Sequence, residues 1–196
     1  IKMAAATTTS AQQLGKFIAA LAAKQPTPGG GAAAAVGASL GSAAASMAAA
    51  YTKRKKDHES GAAAKADVLI QKLDFEKALT AADEDAAAYA DLQRSWKDTE
   101  MTAAEKTAIE ARALAVPVSL VELCHEYIIE IQKFLPDCNP NITSDAKVGI
   151  HELAGAARAA YQTVLVNSPP IDEKTRLKEL LKEIRKIEED LLELGE

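Results

Sequence analysis

Apolar residues recur at helical spacing along most of the chain, and short polar breaks divide it into segments. Leu14, Phe17, Ile18 and Leu21 follow the helical period, and Ser10 with Gln13 forms a capping-box pattern ahead of them. This predicts a first helix over about 11–24, stopped by Pro26 and Pro28. A second helix begins near Gly30 or Gly31 and ends beyond Tyr51, around the charged group 53–57. Ser60-Gly61 reads as a break or kink. A third helical stretch follows from about Ala62 to Trp96, with Val68, Leu69, Leu73, Leu79, Ala82, Ala86, Tyr89 and Leu92 on its buried side. Thr102 with Glu105 is another capping box and opens a fourth helix. Pro117 interrupts its pattern, yet apolar spacing resumes through Val121, Leu123, Cys124, Tyr127, Ile128 and Ile131, which predicts a bend rather than an end. Residues 136–143 form a loop, and Ser144 or Asp145 caps a fifth helix that ends at Ser168-Pro169-Pro170. Asp172 caps a last helix, where Leu177, Leu180, Ile184, Ile187, Leu191 and Leu194 alternate in steps of three and four. That stripe packs on the body of the domain or on another subunit.

Strand-like runs of Val, Ile, Thr and Tyr are missing. The pattern therefore predicts an all-α, up-and-down bundle of about five to six long helices. Residues 1–10 read as a small, polar, flexible N-terminus, and residues 11–196 as a single helical domain, a length that supports one real core.

Composition sharpens this picture. Aromatics are only 4% and alanine supplies much of the apolar content, so the core must come from helices at short separation. A formal charge of −5 argues against a nucleic-acid partner. Residues 29–51 are uncharged and long enough to span a membrane. Leu40 is the single Leu, Ile or Phe among them, so the drive to enter lipid is weak and no membrane partner is expected. No charged region precedes a long apolar stretch at the N-terminus, so no secretory signal is expected. Cys124 and Cys138 read as free thiols in a reducing, cytoplasmic compartment. Neither they nor His58, His125 and His151 have metal-ligand spacing, and nothing calls for a nucleotide cofactor.

One segment carries candidate chemistry. Lys24-Gln-Pro-Thr-Pro-Gly-Gly-Gly31 cannot be a helix interior, but it can open one. The free N–H groups of a first turn, bare of side chains, favour an anion or a carbonyl oxygen. Gly37 and Gly41, with Ala33, Ala44 and Ala48, then give the following helix a small face against which something must pack closely.

These residues resemble the opening motif of the cyclodeaminase/cyclohydrolase family, from Phe17 through Leu21, Gly31, Gly37 and Gly41 to Met47. Two further pieces agree. Asp85-Ala86-Ala87-Ala88-Tyr89 resembles the family's Asp-x-x-Ala-aromatic segment. Asn141-Ile-Thr-Ser144-Asp145-Ala146-Lys-Val148-Gly149 resembles its Asn-x-x-Ser-Asp-Ala-x-Val-Gly segment, and Asn167 matches an Asn near the end of that helix. The resemblance covers roughly Leu14 to Asn167.

It implies a helical homodimer acting on a tetrahydrofolate substrate, plain or polyglutamylated, without a cofactor. The implied reaction is cyclodeaminase closure of 5-formiminotetrahydrofolate to 5,10-methenyltetrahydrofolate with release of ammonia. The alternative is the methenyltetrahydrofolate cyclohydrolase reaction. The chain departs from the family pattern at Ala32, where Ser is common, at Thr163, where Asn is common, and in lacking a clearly aligned Arg before Pro117. Those departures keep open a third reading, a non-catalytic helical dimer or scaffold.

Ring closure needs positioning, a base and an acid. Asp85 and Asp145 are the candidate catalytic carboxylates; Pro28, Gly29, Gly30, Gly31, Lys53 and Ser144 are candidate substrate-binding residues. Each has a plainer reading. Asp145 serves as a helix cap, Asp85 belongs to an acidic face, and Lys53 begins a wet basic helix end.

Overall fold

The computed structural model describes residues 13–193, and the Ser10 capping box, the flexible segment 1–10 and Leu194 of the last apolar stripe lie outside them. The described residues form eight α-helices: α1 (Leu14–Ala22), α2 (Gly30–Ala50), α3 (Lys55–Ser60), α4 (Ala62–Lys72), α5 (Phe75–Lys97), α6 (Ala103–Phe134), α7 (Thr143–Val166) and α8 (Ile171–Leu191). No strand occurs among them.

The core is a square of four long helices in which α2 packs on α5 and α7, and α6 packs on the same two. Neighbours run antiparallel. Gly31 meets Asp85 while Ser39 donates to the Phe75 carbonyl, so α2 and α5 oppose. Gly41 meets Gly149 and Gly37 meets Ala156, so α2 and α7 oppose. α8 lays Leu177, Ile184 and Ile187 on the core, which makes the body of the domain the partner of its apolar stripe.

The small face of α2 does what its composition requires. Ala34, Ala35, Ala38, Ala45, Ala48 and Ala49 are buried, and the helix is a core element despite being apolar and long enough to cross a membrane. A buried methyl contributes only about 0.8 kcal/mol, so cohesion comes from many short contacts rather than from large side chains.

Several boundaries differ from the sequence expectation, each for a local reason. The second helix stops at Ala50, and 55–60 form a separate short turn of helix. Asp57 draws that turn together, accepting from the Arg54 backbone N–H at 2.8 Å and from its guanidinium Nε at 2.7 Å. Gly61, at φ 84°, takes the left-handed conformation that ends it. The expected third helix breaks again at Leu73–Asp74, where the Tyr127 hydroxyl accepts from the Asp74 N–H and the Asp74 side chain caps α5. Val68 faces solvent rather than the core. α7 begins at Thr143 with no side-chain cap, so Ser144 and Asp145 sit inside its first turn instead of capping it. Asp172 likewise lies within α8, which follows Pro170.

Candidate functional site

α5 is offset along α2. Its first residue, Phe75, meets the middle of α2 at Ser39, while Asp85 meets Gly31 at the start of α2. The second half of α5 therefore runs on past the glycine turn. The beginning of α6 and the end of α7 run past it as well. These three overhanging ends wall a cavity of about 390 Å³ whose floor is the turn itself. Thr27, Gly29, Gly30 and Gly31 line the floor; Asp85, Tyr89 and Trp96 line the α5 wall; Ala113 of α6 and Thr163 and Asn167 of α7 close it.

Asp85 is the carboxyl side chain in this lining. A Cβ at Gly31 would overlap its carboxyl group, whose farther oxygen would stand 2.7 Å away, so only glycine admits the carboxylate there. The Ala32 backbone N–H, in the first turn of α2, bonds to that carboxylate. The Gly30 and Gly31 amides have no intrahelical acceptor, as at any helix start, and both glycines line the cavity. Burial pushes the Asp85 carboxyl above its ordinary value of 3.8, and the Ala32 N–H opposes this only in part. A carboxyl so placed holds its proton more tightly than a free one and faces the cavity, where it can take up and give back a proton.

That shift has a testable consequence for stability. Because the folded protein holds the Asp85 proton more tightly than the unfolded chain, stability from this group is present at acid pH. It is lost as pH rises through the folded-state value. Asp85→Asn is expected to melt at the same temperature as wild type below pH 3.8 and above it at pH 7. An offset that stays constant across this range would contradict the burial of the charge.

Asn167 is held by a backbone irregularity. Pro117 lacks the N–H that would bond the Ala113 carbonyl four residues earlier. The Asn167 side-chain amide donates to that carbonyl at 3.2 Å and to the Thr163 carbonyl at 3.0 Å. The proline that leaves α6 unbroken thus ties the end of α7 to the cavity wall.

The structure brings together Gly29, Gly30, Gly31 and Asp85. Pro28, joined to Thr27 by a cis peptide bond, belongs to the same turn. It does not bring Asp145, Ser144 or Lys53 to them. α2 is 21 residues long, and at about 1.5 Å per residue its ends stand roughly 30 Å apart. Lys53 lies beyond its far end, ion-paired with Asp67 and donating to the Ala63 carbonyl at 3.1 Å. Ser144 and Asp145 begin α7 at that same far end, hydrogen-bonded to each other at 3.2 Å. Within one protomer the two candidate carboxylates cannot share a reacting atom.

Leu92, Trp96, Ala113 and Val166 are lining residues the sequence reading did not single out as site residues. The spacing 85, 88, 89, 92, 96 on one helix face was the available signal. A larger cleft of about 510 Å³ runs between α5 and α6, but it gathers Glu84, Glu122 and Glu126 around Lys77 and contains none of the motif residues. No cluster of His, Cys, Asp and Glu suited to a metal occurs among the described residues.

The fold and the cavity together define an all-α bundle with a carboxylate held over a helix start. The chain belongs to the formiminotransferase-cyclodeaminase family, whose model matches residues 13–186. Among solved structures it is similar to a formiminotetrahydrofolate cyclodeaminase from Thermotoga maritima, with a TM-score of 0.77 and 22% identity over 91% of each chain. No curated protein sequence matches it.

Proposed function

We propose that the protein is a formiminotetrahydrofolate cyclodeaminase, closing 5-formiminotetrahydrofolate to 5,10-methenyltetrahydrofolate with release of ammonia. The observation that carries this reading is the Asp85 carboxyl, half-buried against the glycine turn in a cavity of substrate size. Family membership and the structural likeness support the substrate class. In the reaction N10 attacks the formimino carbon, forming the N10–C bond, and the bond from that carbon to the formimino nitrogen breaks. The formimino group enters protonated, as =NH2+; Asp85 takes the N10 proton and passes it to that nitrogen, which leaves as ammonia while the positive charge stays on the methenyl product. The cavity walls hold N10 over the carbon, and positioning of this kind lowers the barrier by removing orientational freedom beforehand.

The active form is a homodimer in this reading. Leu40, Met47 and Tyr51 make one exposed stripe along α2, spaced seven and four residues apart, on an uncharged helix face.

Near-ultraviolet absorbance tests the activity. Purified protein added to 5-formiminotetrahydrofolate is expected to raise the methenyl absorbance faster than the spontaneous rate. Accelerated loss of that absorbance from methenyltetrahydrofolate, with no rise from the formimino compound, would make it a cyclohydrolase instead. Neither change, with no folate bound, would overturn the enzymatic reading.

A further inference from the structure

Trp96 is 66% exposed, an unusual position for the chain's single tryptophan. It stands on the same α5 face as Asp85 and Tyr89. Its ring makes an edge-to-face pair with Tyr89, centroids 6.3 Å apart and planes at 83°, which fixes its orientation without covering it. A second cavity of about 440 Å³ shares Leu92, Trp96, Val166 and Asn167 with the first. The two are one trough, and Trp96 stands where they join. The trough is therefore longer than the reacting centre alone requires.

We propose that Trp96 is a specificity-determining platform for a planar aromatic ring of the substrate, and that this ring is the aminobenzoyl group. The proposal rests on the folate reading above. The argument is one of length. Eleven residues separate Asp85 from Trp96, a rise of about 16 Å, and helical side chains lean toward the N-terminus, which brings the indole back toward Tyr89. Tyr89 is one turn, about 6 Å, beyond Asp85. The indole thus lies beyond Tyr89 as seen from the carboxylate, its ring centroid 6.3 Å from that of Tyr89, at the reach of the far, carbonyl end of a group whose near end is at Asp85. In a tetrahydrofolate the aminobenzoyl ring is bonded directly to N10, the atom that closes the new ring. With N10 at Asp85, the aminobenzoyl ring reaches toward Trp96 and the bicyclic head is left to the glycine turn.

Calorimetric titration with three probes tests this. The probes are 5-formyltetrahydrofolate, p-aminobenzoylglutamate and tetrahydropterin, each against wild type, Trp96→Ala and Trp96→Phe. The alanine variant is expected to bind the first two about tenfold more weakly, the phenylalanine variant to stay within about threefold of wild type, and tetrahydropterin to bind all three proteins alike. Equal weakening of tetrahydropterin would mean a general loss of pocket shape and would overturn the assignment. So would an alanine variant that holds all three probes as tightly as wild type, a result that leaves the folate reading standing. Wild-type protein that binds none of the probes would overturn the folate reading and this assignment with it.

Discussion

Gly31→Ala is expected to abolish the proposed cyclodeaminase turnover while leaving the protein folded. The new methyl group occupies the space of the Asp85 carboxyl, which has to swing away from the start of α2 and give up the Ala32 N–H. Alanine suits a helix better than glycine by about 1 kcal/mol, so α2 itself does not suffer. The loss falls on catalysis, at least about a hundredfold in kcat/KM, the lower range for removing a positioned acid–base group. Helical circular dichroism should be unchanged. Turnover within a fewfold of wild type would show that the carboxylate position at the helix start is irrelevant to the chemistry. Gly30 offers the contrast: nothing lies near where its side chain would be, so Gly30→Val fills the cavity and blocks substrate without displacing Asp85.

Gly149→Val is expected to have the largest effect on stability. A Cβ at 149 would stand 2.7 Å from the Gly41 carbonyl oxygen and 2.9 Å from the Ala45 Cβ. Backbone cannot rotate out of the way as a side chain can. α2 and α7 must part, and every alanine contact along their seam loosens with them. Overpacking by one methylene group costs about 1–3 kcal/mol, and valine adds more than that. At roughly 2–4 °C per kcal/mol for a chain of this size, the melting temperature should fall by about 10 °C. A variant melting within about 2 °C of wild type would mean that the two helices do not meet at this glycine pair.

The glycine turn was legible because three glycines after Pro-x-Pro exclude a helix interior and can open a helix, and a bare helix start is a defined chemical object. The periodic segments were legible for the usual reason, and Pro117 was rightly read as interior because apolar spacing resumes beyond it. The break at Asp74 was not legible. It depends on the Tyr127 hydroxyl, 53 residues away. The separation of Asp145, Ser144 and Lys53 from Asp85 within one protomer was not legible either, for a different reason. The motifs are similar in kind, but a motif does not say which end of a helix it occupies in space. Counting reversals would have helped: in an up-and-down square, α2 and α7 run opposite ways, so the start of one lies beside the end of the other. Trp96 escaped notice because an aromatic residue near a helix end is ordinary until the overhang that exposes it is known.

Since the depth of the trough comes from how far α5 runs past α2, a slip of one helical turn between them would put Ala81 or Tyr89 opposite Gly31 and leave the floor without an acid. The chemistry is thus decided by a sliding coordinate. Contacts that pin it at a distance, such as the Ser39 hydroxyl on the Phe75 carbonyl at 2.9 Å, act as a vernier for the reaction without ever meeting the substrate.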